Sequence, residues 1–210
     1  MENDTFDLEK YYEIQKNGSD WSYGSRWGDQ MEQAVSDIFR NISPKKTNGV
    51  IDIGCGEGRG LQRLRDLGFK RLHGIDISEE KILYARKNRS MDILFDVFDF
   101  HKNLSLLGRF DIGFSSHALE HCYCFKTAIN SICSIINRKF YFIVPIGETP
   151  EEVSKFNPSH THPFKDLDHV HKCLIDAGVL SFSLQEKCER DGRMGREVWG
   201  CIRSEEHTSE

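Results

Sequence analysis

The run Val50-Ile51-Asp52-Ile53-Gly54-Cys55-Gly56-Glu57-Gly58-Arg59-Gly60 constrains this chain more than any other stretch. It is an apolar strand, a turn with glycine at every second position, and the start of a helix. Glycines in such a turn let a ligand touch the backbone. A dinucleotide loop calls for G-x-G-x-x-G, whereas this one reads G-x-G-x-G-x-G and carries carboxylates at Asp52 and Glu57. Those charges oppose a pyrophosphate at the helix N-terminus, and they suit a ligand that presents a cation. Asp76 closes the next apolar run, where an acidic side chain can accept hydrogen bonds from ribose hydroxyls. The pair of features points to an adenosine-type ligand.

Around this loop, short apolar runs alternate with helical periodicity, which is the signature of βα units feeding a parallel sheet. Five strands are expected in order: Val50 to Ile53, Leu72 to Ile75, Ile93 to Val97, Ile112 to Phe114 and Phe140 to Val144. Met31, Ala34, Val35, Ile38 and Phe39 form the stripe of an amphipathic helix starting at Asp29. Leu61, Leu64 and Leu67 mark the next helix, and Ser78 caps the one after it. A further helix is expected to hold Phe125, Ala128, Ile129, Ile132, Ile135 and Ile136, and another runs from about Asp166 to Gly178. Leu180 to Leu184 and Val198 to Ile202 then read as strands of a hairpin turning at Asp191-Gly192 and Gly195.

The 210 residues fit one domain. The longest apolar run, Phe140 to Ile146, falls far below the ~20 residues that cross a bilayer. The first twenty residues lack the basic start and apolar stretch of a signal peptide, so a cytoplasmic location is expected. Seven Cys without repeated CxxC spacing read as reduced thiols. The last eight residues, Arg203 to Glu210 (RSEEHTSE), match the translation of a common sequencing adapter and are set apart from the fold. The charge is -5, so no polyanion-binding surface is indicated.

These motifs together resemble class I S-adenosylmethionine-dependent methyltransferases, over residues 46 to about 202. Asp52, Gly54 and Gly56 match the family's first motif, Gly58 and Arg59 its continuation, and Asp76 the acidic residue on the ribose. Arg109 to His121 resembles the fourth strand and the Leu-Glu-His segment of the small-molecule branch. The resemblance implies S-adenosyl-L-methionine as cofactor and a single Rossmann-like α/β domain. Its seven-stranded sheet is expected to be mostly parallel, with an antiparallel C-terminal hairpin strand and helices on both faces. Residues 1–45 become an N-terminal cover and helix, and 46–202 the methyltransferase domain. The implied cofactor residues are Asp52, Gly54, Cys55, Gly56, Asp76, Ile77, Phe100 and Ser115, with Asp96 and Asp99 competing for the adenine amine. Spacing to Phe110-Asp111 leans to Asp99.

Methyl transfer from a sulfonium needs alignment and desolvation, with a base only where the acceptor must lose a proton. Six of the nine histidines lie between 117 and 171, after the strands whose carboxyl ends line a crevice in open α/β sheets. His117, directly after the fourth strand, is the favoured catalytic residue, followed by His160 and His162. His121, on an expected helix, either orients that helix or takes part in chemistry. A metal reading would join His160 and His162 to His121 or Cys122, but no regular four-ligand spacing is visible and no metal is expected. Ser115-Ser116-His117-Ala118 departs from the Asn/Asp-Pro-Pro-aromatic motif of nucleic-acid amino-methylating enzymes, and Pro145-Ile146 from the Pro-Cys of cytosine ring methylation. A small-molecule acceptor or a soluble glycan or lipid-precursor acceptor is expected, with DNA not indicated and RNA disfavoured. A noncatalytic adenosyl-binding module regulating a partner is the alternative.

Overall fold

A computed structural model describes residues 7–17, 25–149, 151, 153, 155, 158–188 and 196–204. Its order is α1 (Leu8–Asn17), α2 (Ser25–Phe39), β1 (Val50–Ile53), α3 (Arg59–Asp66), β2 (Leu72–Asp76), α4 (Glu79–Asn88), β3 (Ile93–Val97), β4 (Phe110–Ser116), α5 (Phe125–Cys133), β5 (Ile136–Ile146), α6 (Leu167–Asp176), β6 (Phe182–Cys188) and β7 (Arg196–Arg203). The seven strands form one sheet in the order β3-β2-β1-β4-β5-β7-β6. Strands β1 to β5 run parallel, and β7 runs antiparallel to both β5 and β6. The strand order reverses between β1 and β4. A ligand crevice opens at the carboxyl ends of strands at such a point.

Alternation along β1 divides the core. Val50 packs with Val35 and Phe39 of α2, Leu61 and Leu64 of α3, and Ile82 and Ala85 of α4. Ile51 and Ile53 join the opposite cluster, with Phe125, Ile129 and Ile132 of α5 and Val170 and Leu174 of α6. Helices therefore cover both faces.

Several boundaries differ from the sequence reading. Helix α1 lies within residues 1–28, ahead of the expected first helix. It is mostly polar, so periodicity misses it, yet Asp7 Oδ1 accepts the Lys10 N–H (3.0 Å) and stabilises its start. Helix α5 stops at Cys133: Ile135 O accepts the Phe110 N–H (2.8 Å) and Ile136 pairs with Phe110 in the sheet. Both isoleucines are buried, so helical spacing and strand burial look alike there. Strand β5 also takes in Asn137, Arg138 and Lys139, whose polarity hides its start. Leu180 is exposed and precedes β6. Arg203, set apart with the tail, completes β7 opposite Lys139, and the Ser204 N–H donates to Arg138 O (3.0 Å). The expected hairpin turn at Asp191-Gly192 and Gly195, Trp21, Tyr23 and the tail beyond 204 lie outside the described residues. Of Trp27 only the backbone is described.

Candidate functional site

The glycine loop sits at the sheet's switch point and is shaped by contacts that exclude side chains. Gly54 has φ +73, and a Cβ there would stand 2.3 Å from Ala118 Cβ, just beyond β4. Gly58, with φ +75, starts α3, and a Cβ there would meet the Phe95 ring at 2.6 Å. At the end of β2, Asp76 is gripped from two sides. Its Oδ2 accepts the Gly56 N–H (2.8 Å) and its Oδ1 the Ser78 N–H (2.9 Å). Each carboxylate oxygen has two lone pairs, so acceptor capacity remains on the side facing the crevice. Asp76, Ile77, Lys81, Asp99, Phe100 and His117 line that crevice with Gly54, Gly56, Ala118, His121, Tyr11 and Gln15.

Asp52, Cys55 and Ser115 lie beneath the wall. Ser115 Oγ donates to Ile53 O (2.9 Å), tying β4 to β1. Cys55 Sγ points at β2, where it would stand 2.7 Å from a Cβ at Gly74, and burial pushes its thiol up. Burial, and then the Asp76 charge, raise Asp52 to about 8. A carboxyl whose folded value exceeds its unfolded value holds its proton longer when folded, so stability falls as pH rises from about 4 to about 8. Asp52→Asn should therefore melt at about the wild-type temperature near pH 4 and at least about 4 °C higher at pH 9. Melting curves that keep a constant difference across that range would contradict the buried acid.

Beyond the end of β3, Asp99 Oδ2 accepts the Tyr12 hydroxyl (2.8 Å), and its Oδ1 accepts the His101 N–H (2.9 Å) and bonds His101 Nδ1 (2.8 Å). Burial works to raise its carboxyl, but the His101 and Tyr12 bonds outweigh it and hold Asp99 below its ordinary value. Asp96 faces elsewhere, bonding His73 Nε2 (2.8 Å) and Arg86 (3.1 Å). Helix α1 lies over the crevice: Tyr11 is buried edge-on to Tyr123 and Gln15 donates to Ser159 O (2.7 Å). With α1 in place the cavity is about 80 Å³, against roughly 300–1,000 Å³ for small-molecule sites. The space left beside α1 is smaller than a cofactor-sized ligand needs. A wider depression of about 830 Å³ lies at the opposite strand ends, beside Lys70, Arg71 and Arg109. There Arg71 is committed to Asn48 O and Arg109 O, and the glycine loop is absent.

The other rim is built of histidines. His117 has φ +52, a left-handed conformation that costs a residue with a Cβ roughly 1–3 kcal/mol. Its Nε2 bonds Glu197 Oε1 (3.1 Å) and its Nδ1 stands 3.7 Å from Glu120 Oε1. Burial lowers its pKa, but the Glu197 bond and the charges on Glu120, Glu197 and Glu148 raise it on balance. His121 sits in a short 3-10 turn, Leu119–His121, instead of the expected helix. Its Nδ1 bonds Ser159 O (2.9 Å); burial, aided by His160, lowers it to about 3 and keeps the ring neutral. His160 stands edge-on to His121, ring centres 4.7 Å apart, with Nδ1 on Glu148 Oε2 (2.6 Å). Neither His160 nor His162 is among the crevice-lining residues; His162 stacks on Phe125 and faces Cys173 Sγ at 3.7 Å.

Glu120 and Glu197 are the site residues that sequence reasoning does not single out. Glu197 comes from β7, eighty positions after His117, and no local pattern joins them. Glu120 stands out in the sequence only as the centre of Leu-Glu-His, yet it is buried, and neither carboxylate oxygen has a hydrogen-bond partner among the described residues.

Known proteins share these features. The methyltransferase-domain family profile matches residues 44–188. The chain belongs to that family, and to the class I S-adenosylmethionine-dependent type its motifs resemble. Over 55 residues it is 44% identical to an uncharacterized protein of Methanocaldococcus jannaschii. That stretch spans 26% of this chain and only 22% of the archaeal protein. Three solved structures share the fold. A SAM-dependent methyltransferase from Archaeoglobus fulgidus has a TM-score of 0.65 at 16% identity, covering 94% of this chain and 100% of its own. Magnesium protoporphyrin IX methyltransferase from Synechocystis, with bound SAH, gives 0.62 at 19%, covering 84% and 83%. The plantazolicin methyltransferase BpumL, in complex with a pentazolic desmethylPZN analog and SAH, gives 0.64 at 15%, covering 93% and 90%.

Proposed function

We propose that this protein transfers a methyl group from S-adenosyl-L-methionine to a small-molecule acceptor or a soluble glycan or lipid-precursor acceptor. The observation that carries this reading is Asp76, a carboxylate fixed by the Gly56 and Ser78 N–H groups and facing the crevice beside the glycine loop. The cofactor meets bare backbone at Gly54 and Gly56, which line the crevice. It supplies a methyl group on a cationic sulfur, ready for in-line displacement. Asp76 accepts the ribose hydroxyls, with Ile77 beside them. Asp99, once Tyr12 yields, accepts the adenine amine next to Phe100. Asp52 backs the methionine moiety from beneath the loop, and Gly54, Cys55 and Gly56 present backbone to it. Ser115 holds β4 against β1 under the loop.

His117 is the residue placed to act on the acceptor, at the crevice end of β4. His160 supports that rim through Glu148, and His162 acts there only as packing. Residues 1–45 supply a cover and a helix, α1 lying over the crevice and α2 packing on the core. No described helix is long and apolar enough to cross a membrane, which is compatible with a diffusible acceptor.

A second reading, an adenosyl-binding module that regulates a partner, draws on the Tyr12 hydroxyl already occupying Asp99. Methyl-labelled S-adenosylmethionine, incubated with the protein and separated metabolite, nucleic-acid and protein fractions of a cell extract, distinguishes the readings. Label in the metabolite fraction is expected. Label confined to nucleic acid or protein would refute the acceptor class, and cofactor binding without transfer would favour the module.

A further inference from the structure

The histidine rim contains a second set of chemical groups whose arrangement goes beyond methyl transfer. His121 Nδ1 lies 2.9 Å from the Ser159 carbonyl. A carbonyl only accepts, so Nδ1 carries the proton and the neutral ring has its lone pair on Nε2. His160 Nδ1 faces the Glu148 carboxylate at 2.6 Å, which fixes the same tautomer for its neutral ring. An imidazole that donates one N–H to a carbonyl or carboxylate and presents the other nitrogen is the outer-shell pattern of metal-binding histidines.

Beside these rings stands Glu120, 1% exposed, with both carboxylate oxygens buried and without a hydrogen-bond partner among the described residues. His117 Nδ1 stands 3.7 Å from its Oε1, beyond hydrogen-bond reach. Burying a carboxylate in this way is costly unless a cation completes it.

We propose that Glu120, His121 and His160 bind one divalent first-row transition-metal ion at the acceptor side of the crevice. Each residue offers one ligand atom, and the three atoms lie within 4.8 Å of one another. Ligands on an ion at about 2.0–2.2 Å each stand at most about 4.4 Å apart, so small side-chain rotations close the set. Two imidazoles and one carboxylate suit Zn²⁺, Mn²⁺ or Fe²⁺ better than Ca²⁺ or Mg²⁺. The backbone braces the arrangement: the His162 N–H donates to Glu120 O (2.8 Å), and Thr161 Oγ1 bonds His121 O and Cys122 O (2.9 Å each). Three protein ligands leave at least one coordination position, and His121 lines the crevice. An oxygen of the acceptor is the ligand class for that position, a use that rests on the methyltransferase reading. Ion binding itself does not.

The test uses untagged full chain, stripped with chelator and dialysed, then titrated calorimetrically with Zn²⁺ and with Mn²⁺. Wild type should take up about one ion per chain. Glu120→Gln and His160→Ala should each weaken binding by about 100-fold or more, while His171→Ala, at an exposed position of α6, should bind like wild type. Circular dichroism confirms folding, and if His160→Ala is unfolded the near-isosteric Glu120→Gln decides. No uptake by wild type, or equal uptake by wild type and Glu120→Gln, would overturn the site. Because ion uptake is read without methyl transfer, its failure leaves the methyltransferase reading standing, and the converse also holds.

Discussion

Replacing Asp76 with Ala should weaken binding of S-adenosylmethionine and S-adenosylhomocysteine by roughly 10- to 150-fold. A hydrogen bond to a charged acceptor contributes about 1.5–3 kcal/mol, and every 1.4 kcal/mol is about tenfold in affinity. The same carboxylate fixes the loop through the Gly56 and Ser78 N–H groups, so the variant also loses the preorganised turn. Asp76→Asn separates the two losses, since its amide oxygen can still accept one loop N–H while the charge is gone, and it should fall between wild type and Ala. Calorimetry on the folded variants measures this directly. Wild-type affinity in Asp76→Ala would remove the ribose role.

His117→Ala should lower turnover by about 10²-fold while leaving the cofactor dissociation constant within about threefold. The backbone of this residue is strained: a histidine at φ +52 persists only where its surroundings hold it, and such outliers cluster at functional sites. Glu197 holds the ring from the far side, at the end of β4, away from Asp76 and Asp99, which line the crevice beyond β2 and β3. His117→Gly is the sharper variant. It relieves the left-handed backbone, so it should be at least as stable as His117→Ala and equally slow. Turnover at the wild-type rate in both variants would show that alignment alone carries the transfer.

Much of the fold can be read in the residues because short, largely apolar runs alternate with helical periodicity and glycine turns. Strands β1 and β3 fall where Val50 to Ile53 and Ile93 to Val97 place them, and the glycine loop closes β1 at Gly54. Helix α1 escapes because its partners are crevice residues far along the chain, so Tyr12 gains its bond to Asp99 across 87 positions without any apolar period. Ile135 and Ile136 satisfy a helical spacing although the sheet claims them. The two oxygens of Glu120 show the deeper limit: a carboxylate in a short turn reads the same whether solvated or buried, and only the packing of the 158–162 segment over it decides. His121 and His162 differ for the same reason, since the fold turns one to the crevice and stacks the other on Phe125.

Titration of the full chain with S-adenosylhomocysteine, and in parallel with NADH, asks whether the glycine loop holds an adenosyl amino acid or a dinucleotide. Stoichiometric binding of the homocysteine ligand, at least about tenfold tighter than NADH, is expected from the glycine spacing and Glu57 at the loop and Asp76 at the ribose. Equal or tighter binding of NADH, or no binding of S-adenosylhomocysteine at all, would contradict it.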